Sequence, residues 1–582
     1  VTTFRVWAPE ATEVSVRIGT DDERPMDQRS GGWWQRAATD VHQGDDYAFR
    51  IDGGDPRPDP RSLWQPSGVH AASRVYDHGG YEWHDGSWRG VPLAGSVLYE
   101  LHVGTFTEEG TLSAAMTRLD HLVELGIDAV ELLPVNAFDG PLGWGYDGVG
   151  LYAVHEEYGG PDALKAFVDA CHDRSIGVVL DVVYNHLGPS GNYLSEFGPY
   201  FTDRHTTPWG PAVNLDAPGS DEVRAWILDN AVGWLRDFHL DGLRLDAVHA
   251  LVDTRAFPLL EEMAERVREL AAQVGKPLFL VAESDLNDPR TVTPAPTGLG
   301  LDAQWSDDVH HSLHATLTGE RQGYYADFGS LPTLATALTS AFVHAGTWSS
   351  FRGRTHGRPV DRRSAPGSRF VAYLQDHDQV GNRATGDRLS AILTPGLLKV
   401  GAALLLCSPY TPMLFMGEEW GASTPWQFFT SFPDPVLAKA VREGRRAEFE
   451  QHGWRADDVP DPQDPQSFER SRLDWDEIDE EPHAGLLDWY RRLIALRRQR
   501  GELTHDRLDE VRCSYDEEAR WFVLYRGRIA VVCNLSAERQ EVPVDGTPTS
   551  VIAASEAGFV YRDGVVGLDA ESTVIVELAP TD

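Results

Sequence analysis

Two kinds of hydrophobic spacing divide the chain. Through about residue 88, apolar and polar residues alternate in short runs, as in Phe4-Arg5-Val6-Trp7 and Val14-Ser15-Val16-Arg17-Ile18, with Gly-, Asp- and Pro-rich turns between them. Trp33 and Trp34 lead a further run, and another covers 46–51. The alternation predicts a small β-sandwich over 1–88 whose aromatics form its core, and Pro56, Pro58, Pro60 and Pro66 mark a long loop leading out. From Val97 the period changes. An apolar strand at 97–101 is followed by a helix over 113–125, with Met116, Leu119, Leu122 and Val123 on one face and Gly126 as its stop. Strands at 127–133 and 176–183 flank a helix opened by Pro161. A long helix at about 221–238 precedes a strand ending near Asp246. A helix at about 255–273, a strand at 278–283, and two last strands at 370–375 and 411–416 complete the series. Repeated strand–helix units predict an α/β fold, a (β/α)8 TIM barrel over 89–500. The stretch 423–480 is rich in Pro, Asp and Glu and reads as an excursion inserted in the barrel. A final helix spans 483–498. Beyond Gly501 the alternation returns at 521–525, 528–533 and 573–578, which predicts a C-terminal β-sandwich over 501–582.

Charge and composition narrow the chemistry. The net charge of −39 on 582 residues leaves little cation to neutralise phosphates, which excludes nucleic acid and anionic membrane as partners and favours a neutral substrate. No apolar run reaches the ~18 residues of a membrane span, and the N-terminus has neither a basic nor an apolar leader region. Cys171, Cys407, Cys513 and Cys533 lie far apart without CxxC spacing. They read as buried free thiols in a reducing compartment, with a Cys513–Cys533 disulfide as the alternative.

Two motifs look like chemistry and are set aside. Gly143-Trp144-Gly145-Tyr146-Asp147-Gly148 satisfies GxGxxG, but no helix follows it, so its glycines are expected to shape a loop presenting Trp144 and Tyr146. His310, His311 and His314 lack a nearby carboxylate to complete a metal set and read as a helix start. No metal and no cofactor is expected.

Four apolar runs end in acidic or His residues: 180–186, 241–249, 279–283 and 373–378. Strands that deliver carboxylates and imidazoles from their C-terminal ends form the layout of a barrel active site. Leu243 and Leu245 face one side of their strand, and Arg244 and Asp246 face the other. Glycoside cleavage needs one carboxylic acid to protonate the leaving oxygen and a second carboxylate near the anomeric carbon. Asp246, Glu283 and Asp378 end three different strands and can converge on such a bond. The apolar strand before Glu283 favours its protonated form, and Arg244 favours ionised Asp246. His186 and His377 can donate to sugar hydroxyls, and Tyr146 can stack on a pyranose ring.

These four stretches resemble the four signature regions of the α-amylase superfamily of glycoside hydrolases: Asp181-Val-Val-Tyr-Asn-His186, Gly242-Leu-Arg-Leu-Asp246, Glu283 after its strand, and His377-Asp378. The resemblance spans nearly the whole chain. It implies a carbohydrate-binding-module-like N-terminal sandwich and a retaining mechanism in which Asp246 is the nucleophile, Glu283 the acid/base and Asp378 a transition-state stabiliser. Arg244, His186, His377 and Tyr146 would line the subsite of the attacked glucose. The Tyr200–Gly210 stretch, Leu243–His249, Asp376–Arg383 and Phe415–Trp426 are similar to the maltooligosyltrehalose trehalohydrolase family within it. That closer likeness implies hydrolysis of the α-1,4 bond next to the trehalose end of maltooligosyltrehalose, in the cytoplasm, as a pathway partner of the maltooligosyltrehalose synthase. Trp209, His249, Glu418, Glu419 and Trp420 are then expected on the leaving-group side, Asp285 and Asn287 at its trehalose end, and Arg383 among the substrate-binding residues. Asn185 sits where some α-amylases bind calcium, but the remaining ligands are not identifiable. The rival readings are a glycogen branching or debranching enzyme on the same fold, and a catalytically dead carbohydrate-binding barrel.

Overall fold

A computed structural model of the chain describes residues 1–207, 210–451, 459–562 and 564–580. Its centre is a closed barrel of eight parallel strands in sequential order. The strands are Leu98–Leu101 (β1), Ala129–Leu132 (β2), Gly177–Val182 (β3), Gly242–Leu245 (β4), Phe279–Ala282 (β5), Ala303–Trp305 (β6), Phe370–Tyr373 (β7) and Thr411–Phe415 (β8). Each is wholly buried, because helices cover the outer face and side chains fill the inside. The alternation sorts the two faces. Leu132, Leu180 and Leu243 join the outer core with the helices, whereas Leu98, Ala129, Val179, Phe279, Val281, Trp305 and Tyr373 pack inside the barrel. Above that inner apolar plug comes a polar layer in which Glu100, Glu131, Asp181 and Arg244 are all buried.

Most elements stand where the periodicity puts them, and four depart from it. The helix expected over 113–125 is broken into Leu112–Ala115, a 3₁₀ turn at Met116–Arg118 and Leu119–Leu125, and Arg118 leaves helical geometry at φ −104°, ψ 0°. Gly126 ends it in the left-handed conformation, φ 95°. β6 went unpredicted because three residues carry no readable period. His310, His311 and His314 lie in the body of helix Asp307–Thr318 rather than at its start, and all three are buried. The excursion over 423–480 is also more regular than its composition suggests, with helices Pro435–Gln451 and Pro465–Ser471.

The N-terminal region forms two facing sheets. One pairs Thr2–Trp7, Trp33–Ala38 and Asp27–Gln28. The other pairs Asp22–Pro25, Val14–Ile18, Asp46–Ile51 and Ser73–Arg74. The C-terminal region has a five-stranded and a three-stranded sheet. All four cysteines are free; Cys513 pairs with Leu524 and Cys533 with Phe522, so the two do not face each other and the alternative disulfide is absent. Among the described residues no helix is long and apolar enough to cross a membrane.

Candidate active site

The C-terminal ends of the barrel strands open on a cavity of about 840 Å³. Asp246, Glu283, Asp378, Tyr146, His186 and His249 all line it. Strand ends and the loops after them put these residues together across 232 positions of sequence (378 − 146). The Tyr146 loop is held by Gly145 at φ 98°, whose added Cβ would sit 2.2 Å from the Pro134 carbonyl oxygen. The expected glycine role is therefore met, and Gly150–Val154 after the loop is a strand, not the helix a nucleotide site requires.

Arg244 organises the floor. It is fully buried, its guanidinium lies 4.4 Å from the Trp305 ring centroid, and Nη1 donates to both Asp181 oxygens (3.0 and 2.8 Å) and to Asp246 Oδ1 (2.7 Å). Nη2 lies 4.0 Å from Glu283 Oε2. The second oxygen of Asp246 accepts from the Asn185 amide at 2.7 Å. Burial alone would raise the Asp246 pKa, but Arg244 and the Asn185 hydrogen bond outweigh it and hold the carboxyl below its ordinary value. Asn185 thus positions the neighbouring carboxylate from the place where some α-amylases bind calcium.

Glu283 has the opposite balance. Burial raises its pKa, Arg244 opposes, and the negative charges of Asp246, Asp307 and Asp378 raise it further, to about 8. Its Oε2 accepts the Ala247 N–H at 2.6 Å. Ala247 stands at φ 40°, ψ 52°, a left-handed conformation costly for a residue with a Cβ, and this turn after β4 is what aims the N–H at Glu283. Two carboxyls beside one guanidinium are therefore driven apart, one ionised and one protonated at neutral pH, which is the division acid/base chemistry needs.

A chain of charge supports the wall. The His377 ring is buried. Burial lowers its pKa, but Glu100 and Asp378 reverse this and lift it to about 10, so both ring nitrogens carry protons. Nδ1 then donates to Glu100 (2.5 Å) and Nε2 to the Tyr146 oxygen (2.7 Å), while the Tyr146 hydroxyl donates to Asp181 (2.5 Å). Asp378, with 46% of its side chain exposed, is the most open of the three carboxylates and accepts from Asn382 at 3.3 Å. His186 Nδ1–H donates to Asn185 Oδ1 at 2.6 Å, and burial lowers its pKa.

Several expected site residues are elsewhere. Arg244 and His377 are not among the residues lining the cavity: Arg244 is fully buried, and both His377 ring nitrogens are engaged. Arg383 is bound to Glu320 (2.8 and 2.9 Å) and Asp387 (2.8 Å), away from the cavity. Glu419 is buried under the barrel rim, accepting from the Tyr99 hydroxyl (3.1 Å) and contacting His121 (2.8 Å), because Gly417 at φ 83° turns the chain inward. Glu418 meets the Tyr490 hydroxyl and Trp420 donates to Glu477, so both are packing residues. Asp285 pairs with Arg352 at 3.1 Å beside the hairpin Thr347–Ser349/Arg354–His356. Trp209 lies outside the described residues. Reading the sequence missed Glu100, Asp181 as an Arg244 partner, Trp305 and Asp307. Glu100 and Asp181 had a signal, an acidic residue on the inward face of an apolar strand.

Family models match three parts of the chain: Carbohydrate-binding module 48 (Isoamylase N-terminal domain) over residues 1–65, Alpha amylase, catalytic domain over 78–205, and Domain of unknown function (DUF3459) over 506–575. The chain is similar to the malto-oligosyltrehalose trehalohydrolase of Arthrobacter ramosus, 56% identical with 99% of each chain covered. It is 54% identical to that of Mycobacterium tuberculosis, again over 99% of each. The crystal structure of a putative alpha amylase from Salmonella typhimurium superposes with a TM-score of 0.90 at 37% identity, covering 99% of this chain and 97% of that one. Identity above one half, sustained from end to end, means that this chain belongs to the malto-oligosyltrehalose trehalohydrolase family.

Proposed function

We infer that the chain is a retaining glycoside hydrolase that cleaves the α-1,4-glucosidic bond next to the trehalose end of maltooligosyltrehalose, releasing trehalose and a maltooligosaccharide. Family membership over the full length supports the substrate. The observation that carries the mechanism is the sharing of one guanidinium, Arg244, by a carboxylate kept ionised and a carboxyl kept protonated. Asp246 attacks the anomeric carbon of the glucose in the cavity while Glu283 gives its proton to the departing glycosidic oxygen. Glu283 Oε2 is engaged by the Ala247 N–H, which leaves Oε1 to carry that proton. The leaving trehalose departs with it. Glu283, now a base, takes a proton from water, water attacks the glucosyl–Asp246 ester, and the sugar leaves with its α configuration retained. Asp378 takes hydroxyls of the same ring, and Tyr146 offers its ring face, stacked against His377 at 5.1 Å.

His249 is the described residue best placed for the leaving-group side, since it is exposed, lines the cavity and follows Asp246 by three positions. The synthase that makes the α,α-1,1 end is the proposed pathway partner. A cytoplasmic location fits the free thiols. We also propose divisions of the chain near residues 88 and 500.

Product analysis on maltotriosyltrehalose and maltopentaose side by side tests the reading. Free trehalose from the first, with the second cut far more slowly, supports it. Equal cleavage of both, or longer and branched products, overturns it. The first-formed sugar should carry the α-anomer by proton NMR.

A further inference from the structure

We propose that Asp307 is a fourth carboxylate of the site, a positioning residue that keeps the proton on Glu283 through its own negative charge. The proposal rests on Glu283 being the acid.

Its place in the barrel is the first ground. Asp246 stands two residues beyond the inward-facing Arg244 of β4, and Glu283 two beyond the inward-facing Val281 of β5. Asp307 stands two beyond the inward-facing Trp305 of β6, the strand next to that of Glu283; Val281 pairs with Ala303 there, so Asp307 lies two residues further along its strand than Glu283 does along its own. The second ground is how it is held. Tyr373 of β7 is fully buried, with its ring 5.1 Å from that of Trp305, and donates its hydroxyl to Asp307 Oδ1. Asp307 is also the first residue of the twelve-residue helix Asp307–Thr318, where the helix dipole favours an anion. A buried tyrosine hydroxyl and a helix start both stabilise the ionised form. The third ground is that Asp307 does not line the substrate cavity. It is free to stay charged while Asp246 is consumed in an ester and Asp378 engages hydroxyls.

The charged groups around Glu283 are Arg244 and Asp246 from β4, Asp307 from β6 and Asp378 from β7. Those around Asp307 are Tyr373, its helix neighbour Asp308, Asp285 beyond β5 and Asp378 beyond β7. Burial, opposed by the Tyr373 hydrogen bond, lifts Asp307 to about 6, so at neutral pH it is an anion while Glu283, at about 8, is an acid. When Asp246 loses its charge to the ester, repulsion at Glu283 falls and the base form is favoured. The charge that remains at Asp307 draws the proton of water back to Glu283. No atom of Asp307 exchanges with substrate in either step.

The test is the pH dependence of kcat/KM for Asp307→Asn and Asp307→Glu. Two substrates are used: maltotriosyltrehalose, and maltotriosyl fluoride, whose leaving group needs no protonation. Thermal unfolding verifies that both variants fold. With maltotriosyltrehalose, Asp307→Asn should keep its plateau within about threefold and shift its alkaline limb down by about half a pH unit or more, while Asp307→Glu restores the limb. An alkaline limb that stays in place in Asp307→Asn, or activity lost equally at every pH, overturns the proposal. The fluoride should show no such limb in the wild type. If the limb persists there, Glu283 is not the acid, and the underlying reading fails before Asp307 is at issue.

Discussion

At the scale of single residues, the site separates two like groups by their surroundings. Asp246 has two donors on its two oxygens, Arg244 and Asn185. Glu283 has one backbone N–H, a guanidinium at 4.0 Å, and three neighbouring anions. The proposed mechanism requires the first ionised and the second protonated. Activity should therefore fall as pH rises through about 8, the point at which Glu283 loses its proton. Glu283→Gln keeps the shape but has no proton to give, and should lose about 10²- to 10⁴-fold in kcat on maltotriosyltrehalose with an unchanged melting temperature; steady-state kinetics and calorimetry read both. The residues whose convergence on the cavity was legible in the sequence are those at strand ends, because a carboxylate after a buried strand has few structural uses. Arg383 and Glu419 were not. Each sits in a motif near the site, but the partners that claim it, Glu320 for one and Tyr99 with His121 for the other, come from distant segments.

At the scale of elements, short loops and turns do the aiming. Asp378 is carried by the five-residue helix His377–Gly381, which ends against two stacked tryptophans, Trp144 and Trp426, 5.1 Å apart. A Cβ added at Gly381 would stand 2.0 Å from the Trp144 ring and 3.0 Å from Trp426 Nε1. Gly381→Ala must push this helix or the Trp144 loop, and both Asp378 and Tyr146 move with them. A displacement of about 1 Å can cost on the order of 10²-fold, so kcat should drop at least tenfold while the protein remains folded; kinetics with circular dichroism decides it. Strands of four to six residues with branched apolar side chains were readable by period. β6 was not, and with it went Asp307, since a three-residue strand presents only one alternation. The helix Pro435–Gln451 was hidden by its polar composition, yet its Arg445 lines the substrate cavity and packs over Phe428 at 5.1 Å.

At the scale of the whole molecule, one hydrophobic cluster runs from the N-terminal sheets through the barrel helices into the C-terminal sheet. It includes Phe4, Val6 and Trp7, then Leu404 and Leu405 of helix Pro395–Leu406, then Phe522, Leu524, Val531 and Ile575. Polar staples follow the same seam: Arg526 donates to the Cys407 carbonyl oxygen at 2.9 Å and Lys399 pairs with Glu556 at 2.8 Å. A chain stopped at residue 500 would leave that apolar helix face in water. We expect it to appear in the insoluble fraction or as aggregates on size-exclusion chromatography, whereas a soluble, active truncation would show that the barrel stands alone.

The sequence by itself determined most of the strands and helices, the barrel between two β regions, and the three carboxylates at strand ends, because burial writes a period into the chain and acidic residues interrupt it conspicuously. Only the tertiary structure decided which of the remaining polar residues face substrate. That choice depends on contacts such as Glu100 with His377, or Glu419 with Tyr99, made between residues 277 and 320 positions apart. The opposed ionisation of Asp246 and Glu283 was foreshadowed by the apolar strand before one and the Arg beside the other, but its balance among burial, one shared guanidinium and several anions is a property of distances.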